Sequence, residues 1–361
     1  MHMADALISP TVGGAMWVVS GALIAISAKN IRAGADDRKI PLMGVLGSFI
    51  FAAQMINFTI PGTGSSGHLG GGMLLSILLG PSSAFLVMAS VLTVQALFFA
   101  DGGLLALGCN IFNLGFFTCF VAYPLVYKKI VGSSLVKNRI VLGATLAGTV
   151  GLQLGAIGVV LETVASGISE LPFKTFLLLM LPIHLGIGLG EGMVTAGVVV
   201  LMMVARPEIL VAVTQKSPIE ADLRKAVTGL ALASLIVGGA LSWFASTHPD
   251  GLEWAMQKTS SKEELENAGP IHGWLGSVQK KTALLPDYGY AKSEALTEPI
   301  SNNEDSTLKT QEAKSEGPSG PVAVWPAVDA GTSLAGFVGG LLSLLLAGLI
   351  GIALHRSKRA A

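Results

Sequence analysis

The chain has 361 residues, of which 51% are hydrophobic and only 13% are charged, whereas soluble domains carry about 25% charged residues. Its 23 basic and 23 acidic residues balance to a net charge of zero, so nothing in the charge suggests a nucleic-acid partner. The only two cysteines, Cys109 and Cys119, lie in one apolar segment, which argues against a disulfide framework or a thiolate metal site. The high hydrophobic and low charged fractions indicate an integral membrane protein.

The chain begins with MHMADALISP, which lacks the basic region of a secretory signal, and Asp5 also argues against one. We therefore expect Met1 to be kept, protected by the large second residue His2. The α-amine, the first amide nitrogen and the His2 imidazole would then offer three nitrogens in a plane to one metal ion. Alternatively, His2 is an ordinary residue in a frayed terminus. Asp5 is either an outer-sphere carboxylate or a solvated or helix-capping residue.

Apolar runs of about 20 residues, long enough to cross a bilayer, recur along the chain. The third run is short and opens in glycine, so we expect it to be only partly helical. The predicted segments are nine in number, at about 11–28, 41–58, 66–80, 83–100, 104–127, 140–165, 173–204, 226–246 and 328–354.

Basic residues cluster after the first, fifth, seventh and ninth segments. All four clusters fall on one side if nine segments alternate, so the positive-inside rule places the N-terminus outside and the C-terminus inside. The clusters are Lys29, Arg32, Arg38 and Lys39; Lys128, Lys129, Lys137 and Arg139; Arg206, Lys216, Arg224 and Lys225; and Arg356, Lys358 and Arg359.

The loop after the second segment, residues 61–72, is rich in glycine and lies on the same predicted external side as the N-terminus. Glycine permits unusual backbone angles and the close approach of another segment. His68 in this loop is placed to supply the fourth nitrogen that the Met1–His2 chelate lacks. The alternative is a surface-loop histidine without a special role.

Three further ionisable residues stand in or beside apolar segments. Asp101 is interpreted as a turn and cap residue rather than as part of a polar network with Asn110. His184 and Glu191 are seven residues apart, so they share one face of a helix. They could relay protons or form an inner metal site, but we favour a buried pair that holds helices together.

The stretch 247–325 is the only extended polar region and is predicted to be external, with more acidic than basic residues. Its second half, about 293–322, has the composition of a flexible linker. His248 and His272 could collect metal there, but their spacing favours a structural role. We expect a boundary between two functional units near 216–226.

These motifs together resemble the substrate-binding permease subunit of energy-coupling factor transporters for nickel and cobalt, the NikM and CbiM proteins. Residues 226–361, with a Pro-Asp-Gly-Leu-Glu motif, resemble the companion subunit NikN. The resemblance implies an all-α integral membrane protein with a seven-segment core at 1–220, fused to two further transmembrane helices that flank the external region. The motifs are Met1-His2, the Gly-Thr-Gly-Ser-Ser-Gly-His68 loop, Asp101-Gly-Gly and the stretch from His184 to Glu191-Gly.

By this resemblance, the metal is held by the Met1 amine, the His2 amide and imidazole nitrogens, and His68. The chain would be the substrate-capture component of an importer in the cytoplasmic membrane, without enzymatic activity or a catalytic cofactor. A planar four-nitrogen site favours Ni(II) over Co(II). ATPase subunits and a coupling transmembrane subunit would be the partners. Many family members have glycine where this chain has Ala6, which affects the turn and not the ligands.

Two other classes of function stay open at this point. One is a membrane-embedded metal-dependent enzyme that uses His184 and Glu191, and the other is a non-transporting metal sensor. The chain contains neither a His-Glu-x-x-His sequence nor a Gly-x-x-x-x-Gly-Lys-Ser/Thr phosphate loop. Cellular metal accumulation with the ATPase partners present would separate a transporter from both.

Overall fold

The computed structural model describes residues 2–34, 38–133, 135–169, 171–215, 217–219, 222–260, 269–290 and 325–359. These residues form a bundle of helices with one small sheet, and the stretch Phe112–Tyr127 inside α5 is wound as a π-helix. The helices are α1 (Pro10–Ala33), α2 (Lys39–Gln54), α3 (Gly72–Leu79), α4 (Pro81–Phe98), α5 (Leu107–Val131), α6 (Lys137–Ser166), α7 (Phe173–Ala205), α8 (Pro207–Gln215), α9 (Arg224–Gly239), α10 (Gly251–Ser260), α11 (Pro270–Thr282) and α12 (Ala330–Arg359).

Among the described helices, six are long and apolar enough to cross a membrane, namely α1, α4, α5, α6, α7 and α12. The chain is therefore a multi-pass membrane protein. The other three predicted segments form shorter helices: α2 and α9 have 16 residues each and α3 has eight. Helix α3 rises only about 12 Å because each residue adds about 1.5 Å. Of the seven segments predicted within 1–220, five thus have spanning length, and α2 and α3 are shorter.

Small residues let the long helices approach closely. Gly188 on α7 lies so near α6 that an added Cβ would sit 2.8 Å from the Thr149 Cα, and Gly192 one turn further on faces the Thr145 backbone. Small residues at helix contacts are characteristic of membrane bundles, where dispersion forces replace the hydrophobic effect between helices. Helices α6 and α7 consequently form a tight pair that supports the glycine-rich loop.

The two helices of the predicted second unit pack directly on the first unit. The Ser48 and Ser234 hydroxyls, on α2 and α9, are 2.7 Å apart in a buried hydrogen bond. A Cβ added at Gly44 of α2 would lie 3.0 Å from the Leu344 carbonyl oxygen on α12. The two predicted units therefore share one interface within the bundle.

A short β-hairpin accompanies the helices, which otherwise confirm the predicted all-α class. Strands β1 (Phe58–Ile60) and β2 (Ser65–Gly67) pair antiparallel, with Phe58 opposite Gly67. Aromatic and β-branched residues in β1 favour a strand, and Gly62 and Gly64 turn the chain at φ values of 76° and 74°. Both strands overlap or adjoin stretches that hydrophobicity alone assigned to membrane segments.

The hairpin, the N-terminal segment 2–9 and the loop 99–106 lie together at one end of the bundle, which we call the loop end. Helices α10 and α11 and a 3-10 turn at Pro286–Tyr288 lie against it. The backbone N–H groups of Leu284 and Asp287 donate to the carbonyls of Phe98 and Phe99, each at 2.9 Å. The predicted linker at 293–322 lies outside the described residues, as does Met1.

Candidate metal-binding site

The N-terminal segment is fixed to the bundle by the side chain of Asn110. The Met3 N–H donates to Asn110 Oδ1 at 2.8 Å, and Asn110 Nδ2 donates back to the Met3 carbonyl at 3.2 Å. The Gly103 N–H donates to the same carbonyl at 2.9 Å. The segment comes this close because Gly102, at φ 80°, leaves the space next to the His2 Cβ open. His2 therefore directly precedes a residue, Met3, whose backbone N–H and carbonyl are both fixed by hydrogen bonds.

Asp5 anchors the same segment one turn further along. Its Oδ1 accepts the Ala106 N–H at 3.0 Å, just before α5 begins. Burial raises the pKa of the Asp5 carboxyl, and hydrogen bonds from backbone N–H groups, first that of Ala106, oppose the rise. Helix α1 is capped by Ser9, whose hydroxyl accepts the Val12 N–H. Asp5 is thus neither a solvated residue nor the cap of α1, and it holds the segment on α5.

The His2 imidazole faces the carboxylate of Asp101. His2 Nδ1 lies 3.1 Å from Asp101 Oδ1, and the Tyr288 hydroxyl donates to Asp101 Oδ2. Burial alone would raise the pKa of Asp101, but the charge and hydrogen bond of His2 and the hydrogen bond of Tyr288 hold it well below its usual range. The interpretation of Asp101 as only a turn and cap residue is wrong, because side chains bind its carboxylate on both sides.

His68 directly follows β2 and points into the loop end. Its Nδ1 donates to the Leu69 carbonyl at 3.0 Å, which leaves Nε2 as the nitrogen that carries a lone pair. That Nε2 lies 3.9 Å from Asp250 Oδ2. Burial lowers the pKa of His68 to about 3, so the ring is neutral near pH 7. A neutral imidazole fixed at one nitrogen by a carbonyl is the usual arrangement of a metal-ligating histidine.

The two predicted imidazoles lie in contact. The rings of His2 and His68 stack with centroids 4.8 Å apart and planes 8° from parallel. His2 Nε2 is buried and has no hydrogen-bond partner among the described residues. The chelate predicted from the sequence uses His2 Nδ1 instead, and that nitrogen faces Asp101 in this structure. Met1, the third predicted contributor, lies outside the described residues.

The Pro-Asp-Gly turn of the second unit pairs with the hairpin. The Ser66 N–H donates to the Pro249 carbonyl at 2.8 Å, and the Ser66 hydroxyl donates to the His248 carbonyl at 2.8 Å. Asp250 caps α10, since its Oδ1 accepts the N–H of Leu252 at 2.7 Å. Burial would raise the pKa of Asp250, but nearby positive charge and the hydrogen bond that the Glu253 N–H donates keep it well below its usual range.

Glu191 on α7 holds the backbone that follows His68. Its carboxylate is fully buried and accepts the N–H of Gly71 at 3.0 Å and also that of Gly70. Gly71 is left-handed, at φ 81°, so these N–H groups converge on one acceptor. His184 Nδ1 donates instead to the Met180 carbonyl at 2.8 Å. The prediction of a His184–Glu191 pair is therefore wrong, although both residues are buried as expected.

Helix α11 covers the N-terminal segment. His272 Nε2 donates to the Ile8 carbonyl at 2.9 Å, and the ring is fully buried. Gln279 Nε2 donates to the Gly102 carbonyl at 2.7 Å. These contacts agree with the structural role favoured for His272. The sequence analysis assigned no role to three residues at this end, namely Asp250, Tyr288 and Gln279. The Pro-Asp-Gly pattern, on the predicted external side, was the one signal that could have identified Asp250.

Two carboxylates therefore flank the two stacked imidazoles. One carboxylate comes from each predicted unit, and both imidazoles come from the first. Asp101 contacts His2, and Asp250 faces His68. Within the described ranges, no three side chains of His, Cys, Asp or Glu come together as a set that could hold a metal ion. A metal bound at this place would need donors in addition to these side chains.

Two family models match the chain in succession. Residues 2–209 match the cobalt uptake substrate-specific transmembrane region, CbiM, and residues 224–356 match the PDGLE domain. The first model includes His2, His68 and Asp101, and the second includes Asp250 and Tyr288. Both stacked imidazoles and Asp101 thus lie in the first matched region, whereas Asp250 lies in the second.

Proteins with curated descriptions share the fused arrangement. A candidate fused nickel transport protein NikMN of Archaeoglobus fulgidus is 35% identical over 288 residues, which cover 80% of this chain and 88% of that protein. The fused nickel transport protein NikMN of Rhodobacter capsulatus is 28% identical, over 81% of this chain and 89% of its own length. A crystal structure of a transition metal transporter is 28% identical with a TM-score of 0.51, covering 57% of this chain and 93% of that one.

Proposed function

Because the chain belongs to the family described as the cobalt uptake substrate-specific transmembrane region, with a PDGLE domain after it, we propose that it captures a divalent nickel or cobalt ion outside the membrane for import. The ion is substrate and not a resident cofactor. The observation that carries this proposal is the contact between the His2 and His68 rings at the loop end. The names of the fused nickel transport relatives support it.

The proposed donors are the Met1 amine, the His2 amide nitrogen, the His2 imidazole and the His68 imidazole. Four nitrogens in a plane suit Ni(II), and we favour Ni(II) over Co(II) for that reason. Cu(II) binds such donors more tightly by the general affinity order, so selectivity depends partly on which metals are available. The Asp101 and Asp250 carboxylates favour a cation at this place through their negative charge.

Metal capture by this donor set is an exchange at His2. The chelate requires Nδ1, and in this structure Nδ1 is next to Asp101. The ion must therefore replace the Nδ1 proton while Asp101 gives up that hydrogen bond. His68 needs no such exchange, because Leu69 already fixes its Nδ1 and leaves the lone pair on Nε2. Protons are released on binding, so capture weakens in acid.

The test is the metal content and visible absorption of the purified chain with its native start, compared with a version that carries two extra residues before Met1. Stoichiometric metal with a yellow d–d band, lost on extension, supports the terminal chelate and square-planar Ni(II). A version with two extra residues after Ala361 is the control and should keep both. Equal metal binding by the two N-terminal versions would remove the Met1 amine from the site.

We further propose that the chain is the substrate-capture component of an energy-coupling factor transporter in the cytoplasmic membrane. Residues 1–220 would be the permease unit and 226–361 the companion unit, with the loop end outside and the basic clusters inside. Separate ATPase subunits and a coupling transmembrane subunit would supply the energy, docking on the inner ends, including 205–225. Cellular nickel accumulation that rises only when these partners are co-expressed supports this role, whereas an enzyme or a sensor would not raise it.

A further inference from the structure

A cavity of about 560 Å³ opens at the end of the bundle opposite the loop end. Its wall is formed where α1, α3, α5 and α12 finish and where α2 and α4 begin. It is therefore distant from the stacked imidazoles and separate from the proposed metal site. The residues on which the argument depends are Lys39, Met43, Leu79, Ser83, Tyr123 and Lys128.

The described lining of the cavity carries positive charge. Lys39 from α2 and Lys128 from α5 both line it, and none of the described lining residues is Asp or Glu. Neither lysine takes part in the ion pairs recorded for the described part of the chain. The Lys128 ammonium instead lies 5.8 Å from the centroid of the Tyr123 ring. Two ammonium groups, with no acidic side chain among the described residues of the lining, favour an anion over a divalent metal.

The same wall is apolar beside the lysines. Met43 and Leu79 are almost fully buried core residues that also line the cavity. The first turns of α2 and α4 face it as well, and neither helix has a side-chain cap at its N-terminus. Uncapped N–H groups add partial positive charge. A ligand that fits this wall combines an anionic group with an apolar part.

We propose that this cavity binds the headgroup of an anionic phospholipid from the surrounding membrane, with Lys39 and Lys128 holding its phosphate. The cavity lies at the ends of spanning helices, which is the level of the lipid headgroups. By the orientation proposed above, that end is cytoplasmic. Basic pockets between transmembrane helices on that side are a recurrent recognition site for acidic headgroups. The bound lipid would join the ends of α2, α4 and α5, which come from distant parts of the sequence.

The test uses the full chain with its native start in neutral detergent. The apparent affinity for phosphatidylglycerol in mixed micelles is read from the rise in melting temperature and from lipid adducts in native mass spectrometry. Phosphatidylcholine and inorganic phosphate are titrated in parallel. We expect Lys39→Gln with Lys128→Gln to weaken phosphatidylglycerol binding by about tenfold to thirtyfold, since each lysine near an anionic headgroup contributes about 1 kcal/mol.

The matched control is Lys129→Gln with Lys137→Gln, which removes the same charge from exposed residues that do not line the cavity. It should change the affinity by less than about twofold. An equal loss in the control would overturn the proposal in favour of diffuse surface charge. Equal stabilisation by phosphatidylcholine, or by phosphate alone, would overturn it in favour of nonspecific lipid or of a free-anion site. If the double variant does not fold, Lys128→Gln alone should show a loss of about fivefold.

Discussion

The imidazole rings of His2 and His68 stack 4.8 Å apart at the loop end, one from the start of the chain and the other from the loop after β2. Each ring is already held at Nδ1 by an oxygen, from Asp101 for His2 and from Leu69 for His68. The His68 ring is therefore oriented before a metal arrives, with Nε2 left for the ion, whereas at His2 the ion must displace Asp101 from Nδ1. Pre-orientation lowers the entropy lost on binding, so the affinity of this site depends on the residues that hold the rings.

Substitution of His68 by alanine removes one of the four proposed donors. We expect the affinity for Ni(II), measured by isothermal titration calorimetry, to fall by more than about a hundredfold, since even outer-sphere partners of a ligand contribute about tenfold to a hundredfold. His248→Ala is the control, because that histidine is exposed and only its carbonyl contacts Ser66. Unchanged affinity in His68→Ala would exclude this ring from the site.

Asp101→Asn tests the carboxylate that faces His2. The amide keeps the shape but removes the negative charge beside the proposed cation, so we expect Ni(II) affinity to fall by about tenfold, because a nearby unit charge contributes on the order of 1–4 kcal/mol. Asp287→Asn is a suitable control, since it removes a charge from an exposed neighbour of Tyr288, and asparagine tolerates its left-handed backbone at φ 52°. Equal effects of both variants would show that Ni(II) affinity depends on the total negative charge at the loop end and not on the position of Asp101.

Glu191→Gln tests the support of the glycine-rich loop. The carboxylate accepts the N–H groups of Gly70 and Gly71, and an amide places its own NH₂ against one of them. A buried donor left without an acceptor costs about 1–3 kcal/mol, so the melting temperature and the Ni(II) affinity should both fall. Glu208→Gln is the control, because it breaks only a partly exposed ion pair with Arg206. A melting temperature equal to the wild type would contradict this role.

Gly251→Ala tests the docking of the Pro-Asp-Gly turn on α7. An added Cβ would lie 2.5 Å from Ile183 Cγ2 and 3.3 Å from His184 Cε1. Overpacking of this kind costs about 1–3 kcal/mol, so thermal stability should fall. In contrast, Gly276→Ala on α11 meets nothing within 4 Å, and a helical alanine there should leave stability unchanged or raise it by about 0.4–1 kcal/mol. Wild-type thermal stability in the Gly251→Ala variant would show that the Pro-Asp-Gly turn does not pack against α7 as described.

Local patterns in the sequence predict most of the bundle. Continuous apolar runs predict the spanning helices because the bilayer requires about 20 apolar residues with internally bonded backbone. The same argument extended the second segment to Phe58 and began the third at Ser66, whereas these residues belong to the strands of the hairpin. It also paired His184 with Glu191 because they share one face of a helix. In the structure the Glu191 carboxylate instead accepts hydrogen bonds from the backbone N–H groups of Gly70 and Gly71.

The sequence by itself determined the membrane class and the fused family, because these depend on composition and on short motifs, and it singled out His2 and His68 as the proposed donors. Only the tertiary structure decided which groups surround His2 and His68. Asp101 and Asp250 come from loops far apart in the chain, and Tyr288 reaches Asp101 from the second unit. Such contacts depend on how helices and loops pack in space, and a pattern of residues along the chain does not give the distance between two loops in the folded protein.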